Sequence, residues 1–382
     1  MNTSTKTSSQ FDVTIVGGGL AGLSLAIQLA DANRKVVLLE RKKYPFHRVC
    51  GEYISMESWN FLERIGVPLS QMNLPRITQL RVSSLSGKVI EHKLNPGGFG
   101  ISRYTLDALM ASIAKSKGVD LKEEVLVKEI DEEIKSSVMI GAFGKRSNLD
   151  KKLNRSFEKD GQSASENWVG VKYHIAPPNL PEGEELALAQ SSRIELHNFA
   201  GGYCGVSKVD GEKYCLCYLT KASNLQRFSG NIQQMEKELL SKNQFLKNIF
   251  SHRENFLFPE PVTISQITFQ KKSPVENHWL MVGDAAGMIT PLCGNGMSMA
   301  LHASVIAFPI IMKFLEKKIS REEMESEYAT KWNKQFAARL SFGRMLQPLL
   351  LRPALSNGAI SLLGKTPWLM NNIVSLTHGK SF

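Results

Sequence analysis

The stretch from Phe11 to Arg41, FDVTIVGGGLAGLSLAIQLADANRKVVLLER, limits what this chain can fold into more than any other. Val13 to Val16 is an apolar, β-branched run with the length of a buried parallel strand. It breaks at Gly17, Gly18 and Gly19, a helical pattern follows, and a second apolar run, Val36 to Leu39, ends in Glu40. The order strand, glycine turn, helix, strand, acid is that of a βαβ unit built to hold a dinucleotide. Gly17 permits the tight turn, Gly19 lets a pyrophosphate approach the backbone, and Gly22 lets the helix lie close on the sheet. The helix N-terminus offers unpaired N–H groups and the positive end of its dipole. Glu40 can accept hydrogen bonds from a ribose diol, and Arg41 stands beside it as a further candidate. This stretch leaves open which dinucleotide is held.

Composition narrows the partners. At 382 residues, with 42% apolar and 22% charged residues, the chain has ample length for a core and the balance of a soluble globular protein. The net charge of +11 comes from scattered Lys and Arg with no basic run interleaved with aromatics. That argues against nucleic acid and leans toward peripheral contact with an anionic membrane surface. The five cysteines show no CxxC spacing, so neither a disulfide framework nor a metal site is expected. Cys215 and Cys217 alternate, which puts them on one face of a strand. MNTSTKTSSQ is polar, without the apolar centre of a signal peptide, and reads as a disordered tail over 1–10. Ala300 to Leu315 is short for a membrane span and carries His302, Pro309 and Lys313. The expected location is cytoplasmic, with the membrane as a peripheral option.

Along the chain, nucleotide-domain character covers 11–75, 99–150 and 270–320. Alternating apolar and polar runs, a sign of an antiparallel substrate sheet, cover 76–98 and 151–269. ITQLRVSSLSGKVIEHKL reads as a hairpin, EVLVKEIDEE and SSVMIGAFGKRS as strands, and 231–250 as one helix. Residues 321–382 read as a helical region. The expected fold is α/β: a Rossmann-like parallel sheet interleaved with an antiparallel substrate sheet and followed by helices.

A second glycine-rich stretch, WLMVGDAAGMITPLCGNGMSMAL, ends a strand in Gly283 and Asp284 and then opens a long helix at Gly294, Asn295 and Gly296. Together, GGGLAG…LLER and VGDAAGMITPLCGNGMSMAL resemble the flavoprotein superfamily that contains p-hydroxybenzoate hydroxylase, geranylgeranyl reductases and flavin-dependent halogenases. The resemblance implies FAD, with its pyrophosphate on Gly17, Gly19 and Gly22, its adenosine ribose on Glu40, and its ribityl chain on Asp284. It also implies a place near those groups for Arg103, in SRYTLD. HRVCGEYIS is similar to the segment of the reductases that carries Cys-Gly-Gly and to the Gly-Glu-Ser of the halogenases, which makes Cys50 a catalytic candidate beside the flavin. GAFGKRS has Phe143 where the monooxygenases have aspartate, and no second GxGxxG unit is present. Electrons therefore come from transiently bound NAD(P)H or from an external donor.

The five tryptophans, at 59, 168, 279, 332 and 368, are never two apart, so the halogenase WxWxIP element is missing. Hydroxylation of a hydrophobic aromatic or polyketide-like small molecule is the expected reaction; saturation of prenyl-lipid double bonds is the alternative. Tyr203, among the glycines of FAGGYCGVS, is expected to line the substrate pocket. His47 and His174 are candidates for proton transfer, but the sequence assigns no acid–base pair.

Overall fold

The computed structural model describes residues 11–129, 136–159, 167–177, 192–351, 358, 360, 363 and 366–382; the expected tail over 1–10 lies outside them. Strands β1 (Val13–Val16) and β2 (Val36–Leu39) form where the apolar runs end against glycine and acid, and both are buried along their whole length. The rest of their sheet comes from β6 (Asp120–Lys122), β7 (Val138–Gly141), β13 (Val275–Glu276) and β14 (Trp279–Met281), in the order β13-β14-β7-β1-β2-β6. All neighbours pair in parallel except β13 with β14. The described part of EVLVKEIDEE carries no strand; the strand comes earlier, at Asp120–Lys122, and Glu124 then turns at φ 61°.

Eight strands make the second sheet: β3 (Tyr53–Ser55), β4 (Arg76–Ser83), β5 (Val89–Gly100), β8 (Trp168–Ile175), β9 (Arg193–Phe199), β10 (Gly202–Val209), β11 (Lys213–Lys221) and β12 (Val262–Ile267), ordered β12-β8-β11-β10-β9-β4-β5-β3. It is mixed rather than purely antiparallel, because β4 and β9 pair in parallel. The hairpin β4–β5 and the meander β9–β10–β11 arrive from distant parts of the chain, so no turn forces antiparallel order where they meet.

The pleat separates the two faces of this sheet. Val171, Tyr173, Cys204, Val206, Leu216 and Tyr218 pack under Met235, Leu246, Ile249 and Phe250 of a helical layer. Residues 231–250 do not form the single helix that was expected. They form helices Ile232–Glu238 and Gln244–Ser251, separated where Asn243 accepts from Phe245 N at 3.0 Å and donates to Ser83 Oγ at 2.9 Å. The opposite face, with Gly170, Lys172, His174, Cys215, Cys217, Tyr203, Gly205 and Ser207, turns toward the nucleotide unit.

The long helix expected to open at Gly294–Gly296 is Gly296–Leu315, 20 residues with Pro309 inside it, and by length and composition it could cross a membrane. Here it is a core helix: Leu301, Ala303, Ala307, Ile310 and Ile311 are buried, and Ser304 bonds Ser24 of helix Leu20–Asp31 with 2.8 Å between their hydroxyls. The C-terminal region is helical over Arg321–Leu351 and Pro367–Thr377.

Gly22 holds helix Leu20–Asp31 against the glycine turn, since a Cβ there would overlap the Gly17 carbonyl oxygen and come 3.2 Å from Ala142 Cβ. Gly22→Ala should destabilise the fold by an amount at the upper end of the ~1–3 kcal/mol typical of overpacking. Chemical denaturation would show this as a lower midpoint with an unchanged slope.

Candidate active site

The glycine turn after β1 is shaped by contacts on three sides. Gly17 sits at φ 111°, and a Cβ there would overlap the Ala142 carbonyl. Gly18 is covered by Tyr44, whose hydroxyl donates to Gly18 O at 2.5 Å. Burial, with the Glu40 charge adding to it, pushes the Tyr44 phenol up and keeps it a donor. Gly19 differs from both: its Cβ direction meets only Arg103 Nη2, at 3.9 Å. Gly19 is also the N-cap of helix Leu20–Asp31, with no side-chain cap. A helix N-terminus with space in front of it and a guanidinium beside it has the features that suit an anion.

Charge around this turn is balanced. Glu40, at the end of β2 and 3% exposed, accepts from Gly18 N at 2.9 Å, Lys42 N at 3.0 Å and Arg48 Nη2 at 3.1 Å. Asp107 is chelated by Arg103 at 2.6 and 2.8 Å and accepts from Arg48 Nε at 2.8 Å. Burial works against the Arg103 charge, but the Asp107 carboxylate holds the guanidinium protonated. Arg41 is exposed. Arg48 and Asp107 were not among the candidates read from the sequence. Arg48 lies two residues before Cys50, whereas Asp107 occupies the buried face of a helix where the apolar pattern hides it.

Asp284 follows β14 on a short turn, Gly283–Ala285, where Gly283 has φ 62°. A Cβ on Gly283 would lie 3.1 Å from Ala21 Cβ and 3.5 Å from Ala300 Cβ, so the fold seats the second glycine stretch directly on the first helix. Asp284 is half-buried; its backbone oxygen accepts from Lys272 Nζ at 3.2 Å, and among the described residues its carboxylate has no hydrogen-bond partner. Further on, Gly294 has φ 66° beside the Tyr53 ring, and the fully buried Asn295 donates from Nδ2 to Thr377 O at 2.6 Å. Gly296 then opens the long helix.

The segment 47–52 lies across the inner face of the eight-stranded sheet. Cys50 O accepts from Cys215 Sγ at 3.2 Å, and Gly51 O from Ser207 Oγ at 3.4 Å. Glu52, fully buried and at φ 57°, accepts from Arg103 N at 2.7 Å, from Lys172 Nζ, and from His174 Nε2 at 2.6 Å. Burial alone would raise its carboxyl; the hydrogen bond from His174 and the Lys172 charge hold it below the usual carboxylate range. Glu52, His174 and Cys215 lie close enough to share a metal ion, but the Lys172 ammonium already supplies the cation on that carboxylate. His47 stands over His174 edge to face, with ring centres 5.2 Å apart.

Both sequence candidates for catalysis reach this face. Cys50 is half-buried. Tyr203 is 4% exposed, packs with Trp168, Leu219, Met288 and Leu292, and its hydroxyl has no partner among the described residues. The glycines around Tyr203 do less for a pocket than expected. Gly201 serves a turn at φ 73°, Gly202 lets the Phe199 ring pack, and Gly205 alone of the three leaves ordinary contact distances, 3.5 Å to Leu196. Phe143 packs on the main core next to the first turn.

Residues 12–48, the first strand through to Arg48, match the model of the family described as FAD dependent oxidoreductase. The chain is an FAD-dependent oxidoreductase. It is 25% identical over 336 residues, 85% of this chain and 83% of that protein, to a digeranylgeranylglycerophospholipid reductase of Methanococcus vannielii. It is also 27% identical over 407 residues, 94% of this chain and 74% of the relative, to a Dictyostelium discoideum protein named conditioned medium factor receptor 1. Among solved structures, the flavin-dependent brominase Bmp2 superposes with a TM-score of 0.74 at 16% identity, covering 96% of this chain and 93% of that one, which is a likeness of fold.

The space at Gly19 yields a test that separates binding from folding. Gly19→Val should leave the oxidoreductase with its wild-type unfolding midpoint and no bound flavin. Flavin absorbance after reconstitution and gel filtration, measured beside the denaturation curve, checks both; full flavin content in the variant would count against the site.

Proposed function

We propose that this oxidoreductase saturates carbon–carbon double bonds of a hydrophobic prenyl lipid, using FAD held between the two glycine turns. The observation that carries the reading is the match to a digeranylgeranylglycerophospholipid reductase along 85% of the chain. The hydroxylase-like layout expected from the sequence belongs to the fold at large, so hydroxylation stands second.

The residues present fit FAD. Gly19 leaves space for a pyrophosphate in front of a helix N-terminus, Arg103 stands beside that space, and Asp284 has an uncommitted carboxylate for the ribityl hydroxyls. Glu40 retains acceptor capacity on Oε1, which has one partner, for a ribose. Bound FAD supplies hydride transfer. The chain's own part is to orient and to exclude water: Trp168, Tyr203, Leu219, Ile267, Met288 and Leu292 form an apolar cluster at one end of the inner sheet face, suited to a prenyl chain. NAD(P)H or an external donor is proposed as the source of electrons. Exposed Met345, Trp368 and Leu376 on the C-terminal helices, with a net charge of +11, support a peripheral membrane location from which a lipid is drawn.

Reconstituted protein, reduced with dithionite without oxygen and given a digeranylgeranyl glycerophospholipid in mixed micelles, should add one pair of hydrogens per saturated bond by mass spectrometry. An unchanged lipid, combined with dioxygen uptake stimulated by phenolic substrates, would restore hydroxylation.

A further inference from the structure

A lysine almost never lies inside a protein unless acceptors meet its charge, and Lys272 is only 6% exposed. It belongs to the link between strand β12 of one sheet and strand β13 of the other, where its neighbour Lys271 is exposed. Its Nζ donates to Lys145 O at 2.8 Å and to Asp284 O at 3.2 Å, and it stands 5.0 Å from the centre of the Phe157 ring.

The two carbonyls belong to turns that leave the same edge of the parallel sheet. β14, β7 and β1 are neighbours and run in parallel. The Gly283–Ala285 turn, the loop after Gly141 and the glycine turn at Gly17 therefore all follow carboxyl ends of strands. Ligands of open α/β sheets bind outside that edge. The loop after β7 touches the first turn, where a Cβ on Gly17 would overlap the Ala142 carbonyl. Lys272 ties that same loop to the second turn. The second turn is short and Gly283 takes φ 62°, so a hold on the Asp284 carbonyl limits the directions open to the carboxylate of the same residue.

We infer that Lys272 is a positioning residue for the flavin: its ammonium holds the Asp284 turn so that the carboxylate faces the ribityl hydroxyls before the cofactor arrives. This rests on the assignment of Asp284 to the ribityl chain, and not on which substrate the flavin reduces or oxidises. Order set in advance lowers the conformational cost of binding, and here the gain belongs to the flavin half of FAD. Glu40 and the first turn, proposed for the adenosine half, have ties of their own through Tyr44 and Arg48.

The test is calorimetric titration of the apoprotein with FAD and, separately, with ADP, which carries the adenosine and the pyrophosphate but no ribityl chain. Lys272→Met is close in length and uncharged. It should weaken FAD roughly tenfold, the scale of one hydrogen bond from a charged donor, and leave the ADP dissociation constant at its wild-type value. Asp284→Ala should weaken FAD with the same selectivity. The double variant should bind FAD no more weakly than Asp284→Ala alone, because Lys272 acts through that carboxylate. Lys272→Gln, which keeps a shorter donor, should fall between wild type and Lys272→Met, and it takes the place of Lys272→Met in every comparison if the methionine variant does not fold. Unchanged FAD affinity in the Lys272 variant overturns the role. So do equal losses for FAD and ADP, or additive losses in the double variant, since a staple of the fold alone would act on both ligands and without regard to the Asp284 side chain. If Asp284→Ala binds FAD as the wild type does, the ribityl assignment is what fails, and the positioning role falls with it.

Discussion

A carboxylate taken out of water costs several kcal/mol unless charge and hydrogen bonds meet it, and Glu52 is fully buried. Its compensation comes from three elements at once: the Arg103 N–H at the start of a helix beside the glycine turn, and Lys172 and His174 on a strand of the other sheet. Glu52 also takes φ 57°, a backbone conformation that costs a non-glycine residue of order 1 kcal/mol. The two sheets are thus tied at one ionised group, and loss of Lys172 would leave that carboxylate without its ammonium partner in the interior. That tie sets where the 47–52 segment lies, and with it the placing of Cys50 over Cys215 and His47 over His174.

The nucleotide side is organised by a similar balance. Arg48 and Arg103 face Glu40 and Asp107, so cation and anion are matched around the turn while the space at Gly19 stays open. Groups held in this way need little rearrangement when an anion arrives, which lowers the ordering cost of binding. Gly283, seated against Ala21 and Ala300, brings the second glycine stretch to the same place with little side-chain bulk between them. That contact brings the two turns together, as the proposed FAD site requires.

Much of this was legible in the chain. β1 and β2 appear at the residues where the apolar runs stand, because a short β-branched run closed by glycine or acid has few other stable states. The conformational roles of Gly17 and Gly22 follow from the spacing of the motif. The hairpin of β4 and β5 was visible in its alternation. Other features were not. The parallel pairing of β4 with β9 joins segments whose own patterns carry no register for one another. The break at Asn243 depends on a hydrogen bond to Ser83 on a distant strand. Helix Gly296–Leu315 passes a test of length and apolarity for a membrane span, and only its packing on Leu20–Asp31 makes it a core helix.

The same division holds at the site. The sequence by itself determined the dinucleotide turn, the acid that closes β2 and the second glycine stretch, since each depends on local backbone geometry and short-range spacing. It named Cys50, Tyr203, His47 and His174 as separate residues. Tertiary structure alone decided that Glu52, Lys172 and His174 form one buried cluster, that Arg48 and Arg103 share Asp107, and that Gly202 serves packing and not a pocket. The physical reason is that charge pairing in a protein interior is set by distance in space, and the partners of Glu52 on strand β8 lie more than a hundred positions away along the chain.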